Sequence, residues 1–305
     1  MKFREMILPL CAMMCAGSAL PGTLGAQTDD GTQAPKILMT VREVMKPGKD
    51  GASHEKTEAA YLHAIAAGKS KMHYVAMTSL SGQPRALFLS GYPSFDAIEQ
   101  ERKSMGPALQ ASLDQANQAD GELLSETATA VWVRRDDMSH NAHGMQAGTR
   151  YFEVRQLSVK PGQDAEFERL VKLVNEGYKK ADPEGQWVAY EMLYGNTPAM
   201  PGPVYLILTP MKSLSEVDTG MATDQRFMEA MGEDGMKKMA ELEADCLLGN
   251  LVNVFAISPK MSAPPEWMAK AEPDYWKPKG TGAALASARR PANPVVAADR
   301  KPAGQ

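Results

Sequence analysis

Two stretches of this chain read as versions of one another, and that internal repeat constrains the fold more than any other feature. Val41-Arg42-Glu43-Val44, followed by Lys46-Pro47-Gly48-Lys49-Asp50, recurs as Val154-Arg155-Gln156-Leu157, followed by Lys160-Pro161-Gly162-Gln163-Asp164. The second version carries one extra residue, Val159, ahead of its Lys-Pro-Gly. Tyr74-Val75-Ala76-Met77 recurs as Trp187-Val188-Ala189-Tyr190, again 113 residues later. Leu123-Leu124 leads into Val131-Trp132-Val133, as Leu247-Leu248 leads into Val254-Phe255-Ala256-Ile257. Shared order and spacing at three places predict two units of one design, over 36–134 and 150–258, with a linker over 135–149.

Each unit parses the same way. A first strand (36–45 and 150–159) ends at Lys-Pro-Gly, because proline cannot continue a ladder and glycine permits a turn. A helix follows. In the second unit Phe167, Leu170, Val171, Val174 and Tyr178 form one apolar stripe. The first unit has a weaker version in Glu58, Tyr61, Leu62 and Ile65 of an Ala-rich segment. Two strands come next (72–79 with 85–92, and 186–194 with 203–209), then a helical region (94–119 and 212–244), then a last strand (126–134 and 247–258). The order βαββαβ is the ferredoxin-like arrangement, an α+β fold with helices on one face of an antiparallel sheet. Val131-Trp132-Val133 is apolar at both parities, so the other face also needs a cover. The expected fold is two tandem units packed sheet to sheet as an α+β barrel within one chain.

At this point the chain resembles the dimeric α+β-barrel superfamily. Ser158-Val159-Lys160-Pro161-Gly162 followed by Phe167 looks like the start of NIPSNAP-like and antibiotic-biosynthesis-monooxygenase-like members. The resemblance covers about residues 36–258. It implies the fold. It also implies a spread of activities, since the superfamily includes cofactor-free oxygenases, haem enzymes, isomerases and members without known activity. Most members assemble the barrel from two chains, whereas here both halves lie in one.

Charge and cysteine usage bound the setting. The whole chain holds 33 basic and 37 acidic residues. Residues 27–276 hold 25 basic against 35 acidic, which argues against a nucleic-acid partner, since phosphate contacts need Lys and Arg. Lys2 and Arg4, the apolar run Met6 to Leu20, and small residues ending in Leu24-Gly25-Ala26 read as a signal peptide over 1–26, cleaved after Ala26. The expected location is therefore periplasmic or extracellular. No stretch is long and apolar enough to span a membrane. Cys11 and Cys15 leave with the signal, so Cys246, in an acidic neighbourhood, has no disulfide partner and is expected to be a buried small apolar residue. Residues 27–35 are expected to be flexible, and 259–305, rich in Pro and Ala, to be a mostly disordered tail.

A few residues could carry chemistry. Arg42 and Arg155 match in the repeat. If Val41 and Val154 face the helices, both arginines face the barrel, where they could hold a carboxylate. Pairing with nearby acids such as Glu43 or Glu153 is the structural alternative. Tyr74 and Trp187 match on the second strands and are further ligand-binding candidates. His73 and Tyr190 are candidates for catalysis, His73 because its pKa suits proton transfer or haem ligation. Met138, His140, His143 and Met145 place four soft or borderline ligands in the linker, which would suit copper. No phosphate loop, nucleophile elbow or zinc-spaced cysteine pair occurs, so no motif names a cofactor or a reaction. The expected function is an exported monomer that binds a small organic ligand between the two sheets, an anionic one if the arginines hold it. The alternatives are a cofactor-free or haem-dependent barrel oxygenase or isomerase, and a structural or interaction protein whose barrel is filled by Trp132, Trp187, Phe255 and methionines.

Overall fold

The computed structural model describes residues 33–195 and 201–277. The first unit runs β1 (Ile37–Met45), α1 (Ala52–Ala67), β2 (Val75–Ser79), β3 (Arg85–Tyr92), α2 (Phe95–Ser104), α3 (Pro107–Gly121) and β4 (Leu124–Arg134). The second runs β5 (Tyr151–Val159), α4 (Asp164–Ala181), β6 (Val188–Tyr194), β7 (Val204–Met211), α5 (Ser215–Cys246) and β8 (Leu247–Ile257). A 3-10 turn (Pro259–Met261), α6 (Glu266–Ala271) and α7 (Pro273–Trp276) follow. The expected signal segment lies outside the described residues.

All strand pairs are antiparallel. Each unit orders its strands last, first, third, second: β4-β1-β3-β2 and β8-β5-β7-β6. Met77 opposite Ile257 joins β2 to β8, and Glu191 opposite Val133 joins β6 to β4, so the eight strands close into a barrel within one chain. No sheet edge is left unpaired among them.

Strand alternation sorts the side chains into three cores. Leu38, Met77, Leu87, Trp132, Phe152, Tyr190 and Phe255 fill the barrel, and the Trp132 indole N–H donates to the Thr40 hydroxyl at 2.9 Å. The opposite parity faces the helices: Met45, Ala76, Ala86 and Phe88 in the first unit, Leu157, Val159, Ala189 and Tyr205 in the second, where Phe167 of α4 packs on them. Cys246 is fully buried in the latter. Among the described residues no helix is long and apolar enough to cross a membrane.

The repeated Lys-Pro-Gly has a structural reason. Gly48 and Gly162 take φ of 73° and 78°, the left-handed turn that glycine allows without strain. The Lys46 ammonium donates to the Glu122 carbonyl at 2.9 Å, and the Lys160 ammonium to the Ala244 carbonyl at 2.7 Å. Each lysine thus caps the carboxyl end of its unit's last helix, where carbonyls lack partners and the dipole favours a cation.

The register shifts the expected equivalence by one residue. Met45 donates to the Pro84 carbonyl and sits at a bulge opposite Leu124, and Val159 donates to the Pro203 carbonyl at a bulge opposite Leu247. Val159 is therefore the counterpart of Met45 rather than an insertion. Counting back, Glu43 matches Leu157, Arg42 matches Gln156, and Arg155 matches Val41.

Residues flanking the barrel are more ordered than their composition suggests. Met261, Met268 and Trp276 are buried, the last two in the barrel core, so the expected disorder after residue 258 is corrected for 259–276. Apolar side chains spaced through a Pro-rich segment dock on the barrel mouth without needing helical periodicity. Ala34 packs in the same core, which corrects the expected flexibility of the residues just before β1. The remainder of the tail, from residue 278, lies outside the described residues.

Candidate functional site

A large cavity lies outside the barrel rather than between the sheets. It lies in the second unit, between the outward face of β5, β6 and β7 and the helices α4 and α5, and measures about 840 Å³. Leu157, Tyr205 and Ile207 form its floor, Val171, Val174 and Tyr178 of α4 one wall, and Val217, Met221 and Phe227 of α5 the other. The barrel interior keeps only a pocket of about 120 Å³ at one mouth, lidded by Trp267 and Met268. Pockets that bury a drug-sized ligand run from about 300 to 1,000 Å³, so only the larger one has room.

Its aromatic wall is a chain of rings. Tyr178 stacks on Phe227 with centroids 4.4 Å apart and meets Trp187 edge-on at 5.5 Å. Trp187 in turn packs on His140 at 4.7 Å and donates its indole N–H to the Met138 carbonyl at 2.9 Å. The Tyr178 hydroxyl donates to Asp224 at 3.0 Å, and burial followed by that carboxylate holds its pKa above the ordinary phenol value. Glu153, Asp182, Glu184, Glu216, Asp224 and Glu243 line the space against two cations, Arg155 and Lys212. The lining is net acidic, so a negative charge placed here meets repulsion.

The sequence-predicted residues are dispersed. Arg42 shares the barrel-facing parity of Leu38 and Thr40 and is ion-paired with Glu126. Arg155 shares the outward parity of Leu157, lines the helix-side cavity, and meets Glu153 at 3.3 Å and Asn250 at 3.4 Å. The two arginines thus face opposite sides of the sheet and cannot hold one carboxylate together. The one-residue shift of register is the physical reason. Tyr74 and Trp187 do correspond, and both face helices rather than the barrel. Trp187 therefore does not fill the barrel, whereas Trp132 and Phe255 do.

His73 and Tyr190 meet at the small barrel-mouth pocket. The His73 ring nitrogens lie 3.3 Å from the Lys71 and Gly91 carbonyls, and the Tyr190 hydroxyl donates to the Pro35 carbonyl at 3.2 Å. Those contacts hold backbone in place. The linker ligands separate: Met138 packs in the helix-side core of the second unit and Met145 against the barrel core. His140 is buried beside Trp187, with Nε2 3.3 Å from the Asp182 carbonyl, while His143 lines the barrel mouth. The four do not converge as a copper set.

A haem in the large cavity would call for an axial ligand such as imidazole, thiolate or phenolate. Among the described residues its lining holds no His or Cys, and its two phenols are engaged, Tyr178 with Asp224 and Phe227 and Tyr205 with the Phe167 ring and the Arg135 guanidinium. The residues do not fit that cofactor.

A second polar centre lies in the first unit, and the sequence pattern alone does not assemble it. Glu43 of β1, His54 and Glu58 of α1, and Asp120 of α3 are all buried together. His54 Nε2 is 3.0 Å from Glu43 Oε2, 3.6 Å from Asp120 Oδ1 and 3.7 Å from Glu58 Oε1. The Thr57 hydroxyl lies 2.5 Å from Asp120 Oδ1. Burial, and then the charges of Glu43 and Asp120, push the Glu58 carboxyl up to about 9. The available signal was His54 and Glu58 four apart on a helix, facing the sheet where an apolar stripe belongs.

No family model matches the chain, and no curated protein matches it. Among solved structures it is similar to an anthrone oxidase-like protein, at 11% identity over 73% of this chain and 92% of that one, with a TM-score of 0.48. It is similar to a mutant chlorite dismutase from Candidatus Nitrospira defluvii, at 12% identity over 78% and 95%, with a TM-score of 0.43. It is also similar to a heme-binding protein from Thermus thermophilus, at 12% identity over 75% and 93%, with a TM-score of 0.42. At these identities the likeness is one of chain path and does not extend to site residues.

Proposed function

We propose that this protein binds a small organic molecule with a flat apolar body, neutral or cationic, in the cavity between α4, α5 and the outer face of the second unit's sheet. The observation that carries the reading is a space of about 840 Å³ with the Trp187–Tyr178–Phe227 rings on its wall and six carboxylates against two cations around it. Aromatic faces attract a cation, and the acidic rim adds to that attraction. The repeat of Lys-Pro-Gly and of the second-strand residues supports descent of the two units from one βαββαβ ancestor of the NIPSNAP-like kind. The basic and apolar amino-terminal segment supports export.

The test uses two probes of similar size and opposite charge, a cationic acridine dye and an anionic anilinonaphthalene sulfonate. The cationic dye is expected to bind and quench tryptophan fluorescence, at least about tenfold more tightly than the sulfonate, a difference of one modest charge contact. Gly220 lines the mouth, and a Cβ there would meet nothing within 4 Å, so Gly220→Leu adds bulk without backbone strain and should weaken the dye. Equal binding of both dyes, or full binding by Gly220→Leu, would overturn the reading.

A further inference from the structure

We propose that Glu43, His54, Glu58 and Asp120 bind one divalent first-row transition cation that ties α1 and α3 to β1. The donors come from three elements, and one nitrogen and three carboxylate oxygens lie within 4.8 Å of one another. Metal–nitrogen and metal–oxygen bonds of about 2.0–2.2 Å need only modest closing of such a set.

Two observations apart from the clustering point to a ligand. Asp120 is 1% exposed, and its Oδ2 has no hydrogen-bond partner, although a buried carboxylate oxygen is costly to leave bare. The twin unit supplies the other. Its register places Leu157 where Glu43 stands, in one apolar core with Phe167, Leu170 and Leu242. The fold therefore builds this layer from hydrocarbon where no cation has to be held. Three carboxylates in its place make the first unit harder to fold unless something compensates them. Among the described residues the only basic group within 4.0 Å of these carboxylates is His54, one basic partner for three carboxyl groups.

The donor set selects the ion. Carboxylates suit Mg²⁺, Ca²⁺ and Mn²⁺, imidazole suits Zn²⁺, Fe²⁺, Ni²⁺ and Cu²⁺, and the set has no soft thiolate for Cu⁺. Ca²⁺ takes about six to eight oxygens and Mg²⁺ keeps several waters, which a layer this buried does not offer. Mn²⁺, Fe²⁺ and Zn²⁺ satisfy both donor types. The role is a cross-link: among the described residues the one cysteine, Cys246, makes no disulfide, and a cation joining β1, α1 and α3 does that work for the first unit.

The experiment strips the full-length protein with chelator and titrates it with Zn²⁺, Mn²⁺ and Co²⁺, using calorimetry and, for Co²⁺, visible absorption. One ion per chain is expected, with a rise in Tm that Mg²⁺ and Ca²⁺ do not reproduce. Glu58→Gln and Asp120→Asn keep the side-chain volumes and should each weaken uptake ~100-fold or more, since loss of even an outer-shell partner costs about 10–100-fold. His63→Ala, at an exposed position, should leave uptake unchanged. A stripped wild type that takes up none of the three ions, or a Glu58→Gln/Asp120→Asn double variant that binds as the wild type does, overturns the proposal. If the variants fail to fold, anomalous scattering from a Zn²⁺-soaked wild-type crystal decides: a peak among the four side chains supports the site, and a peak only elsewhere, or none, rejects it.

Discussion

Thr40 shows what a single buried contact is worth in this barrel. Its hydroxyl accepts the Trp132 indole N–H at 2.9 Å, and both residues are at most 4% exposed. Thr40→Val keeps the shape and removes the acceptor, so the indole N–H is left bare at a cost of about 1–3 kcal/mol. Urea denaturation is expected to show a lower midpoint at unchanged slope; an unchanged midpoint would mean the indole finds another acceptor. The arginines illustrate the opposite case. Arg42 and Arg155 are each paired with a glutamate and over a third exposed, where such pairs contribute about 0–1 kcal/mol. Their match in the sequence rested on identity of letters. Period-two strands make a one-residue slip equivalent to turning every side chain over, so matching the letters alone sent Arg155 to the wrong face. His54 and Glu58 were legible as a helical pair, but Glu43 and Asp120 lie on other elements, and only the tertiary fold brings the four together.

At the scale of elements, the segment after β8 acts as a stopper. Met268 and Trp276 enter the barrel core, and α7 is held by Glu272, whose carboxylate accepts from the Arg150 guanidinium at 2.6 Å and from the Gly148 N–H at 2.8 Å. Arg150 also lies 3.7 Å over the Tyr275 ring. Its hydrogen bond to Arg150 holds the Glu272 carboxyl below the usual range. A depressed carboxyl adds stability above its unfolded pKa and loses it as the pH falls through the folded one, so this latch weakens only in acid. Truncation after Ser258 should lower Tm by several degrees, because it bares barrel side chains worth about 1.5–3 kcal/mol each. Truncation after Lys277 should leave Tm nearly unchanged, and Glu272→Gln should fall between the two with its difference from wild type vanishing in acid. Equal Tm for the two truncations would show that the stopper adds nothing. Composition hid this element: a short Pro-rich stretch carries no periodic stripe, and its few large apolar residues show their use only beside an open barrel mouth.

For the whole molecule, element order and strand alternation made the fold legible, since βαββαβ twice over with apolar residues on both sheet faces leaves little but a closed barrel. The location of the cavity was not legible, because it depends on how far α4 and α5 stand off the sheet. Both closing joins, β2 to β8 and β6 to β4, lie within the chain, so the barrel closes without strands from a second copy. Native mass spectrometry of the protein produced in cells is expected to give the mass of one chain starting at Gln27, at every dilution. A two-chain mass, or a first residue within 1–26, would count against the monomer or against the cleavage after Ala26 respectively. The same closure has a consequence for what this barrel can become. A barrel made by two identical subunits is bound by a two-fold axis: each substitution appears twice, and whatever is built on one side is imposed on the other. Here the axis is only approximate, and each half mutates alone. Glu43 can stand opposite Leu157 across that broken symmetry, one half keeping a polar centre under its helices and the other an open chamber, with neither constraining the other.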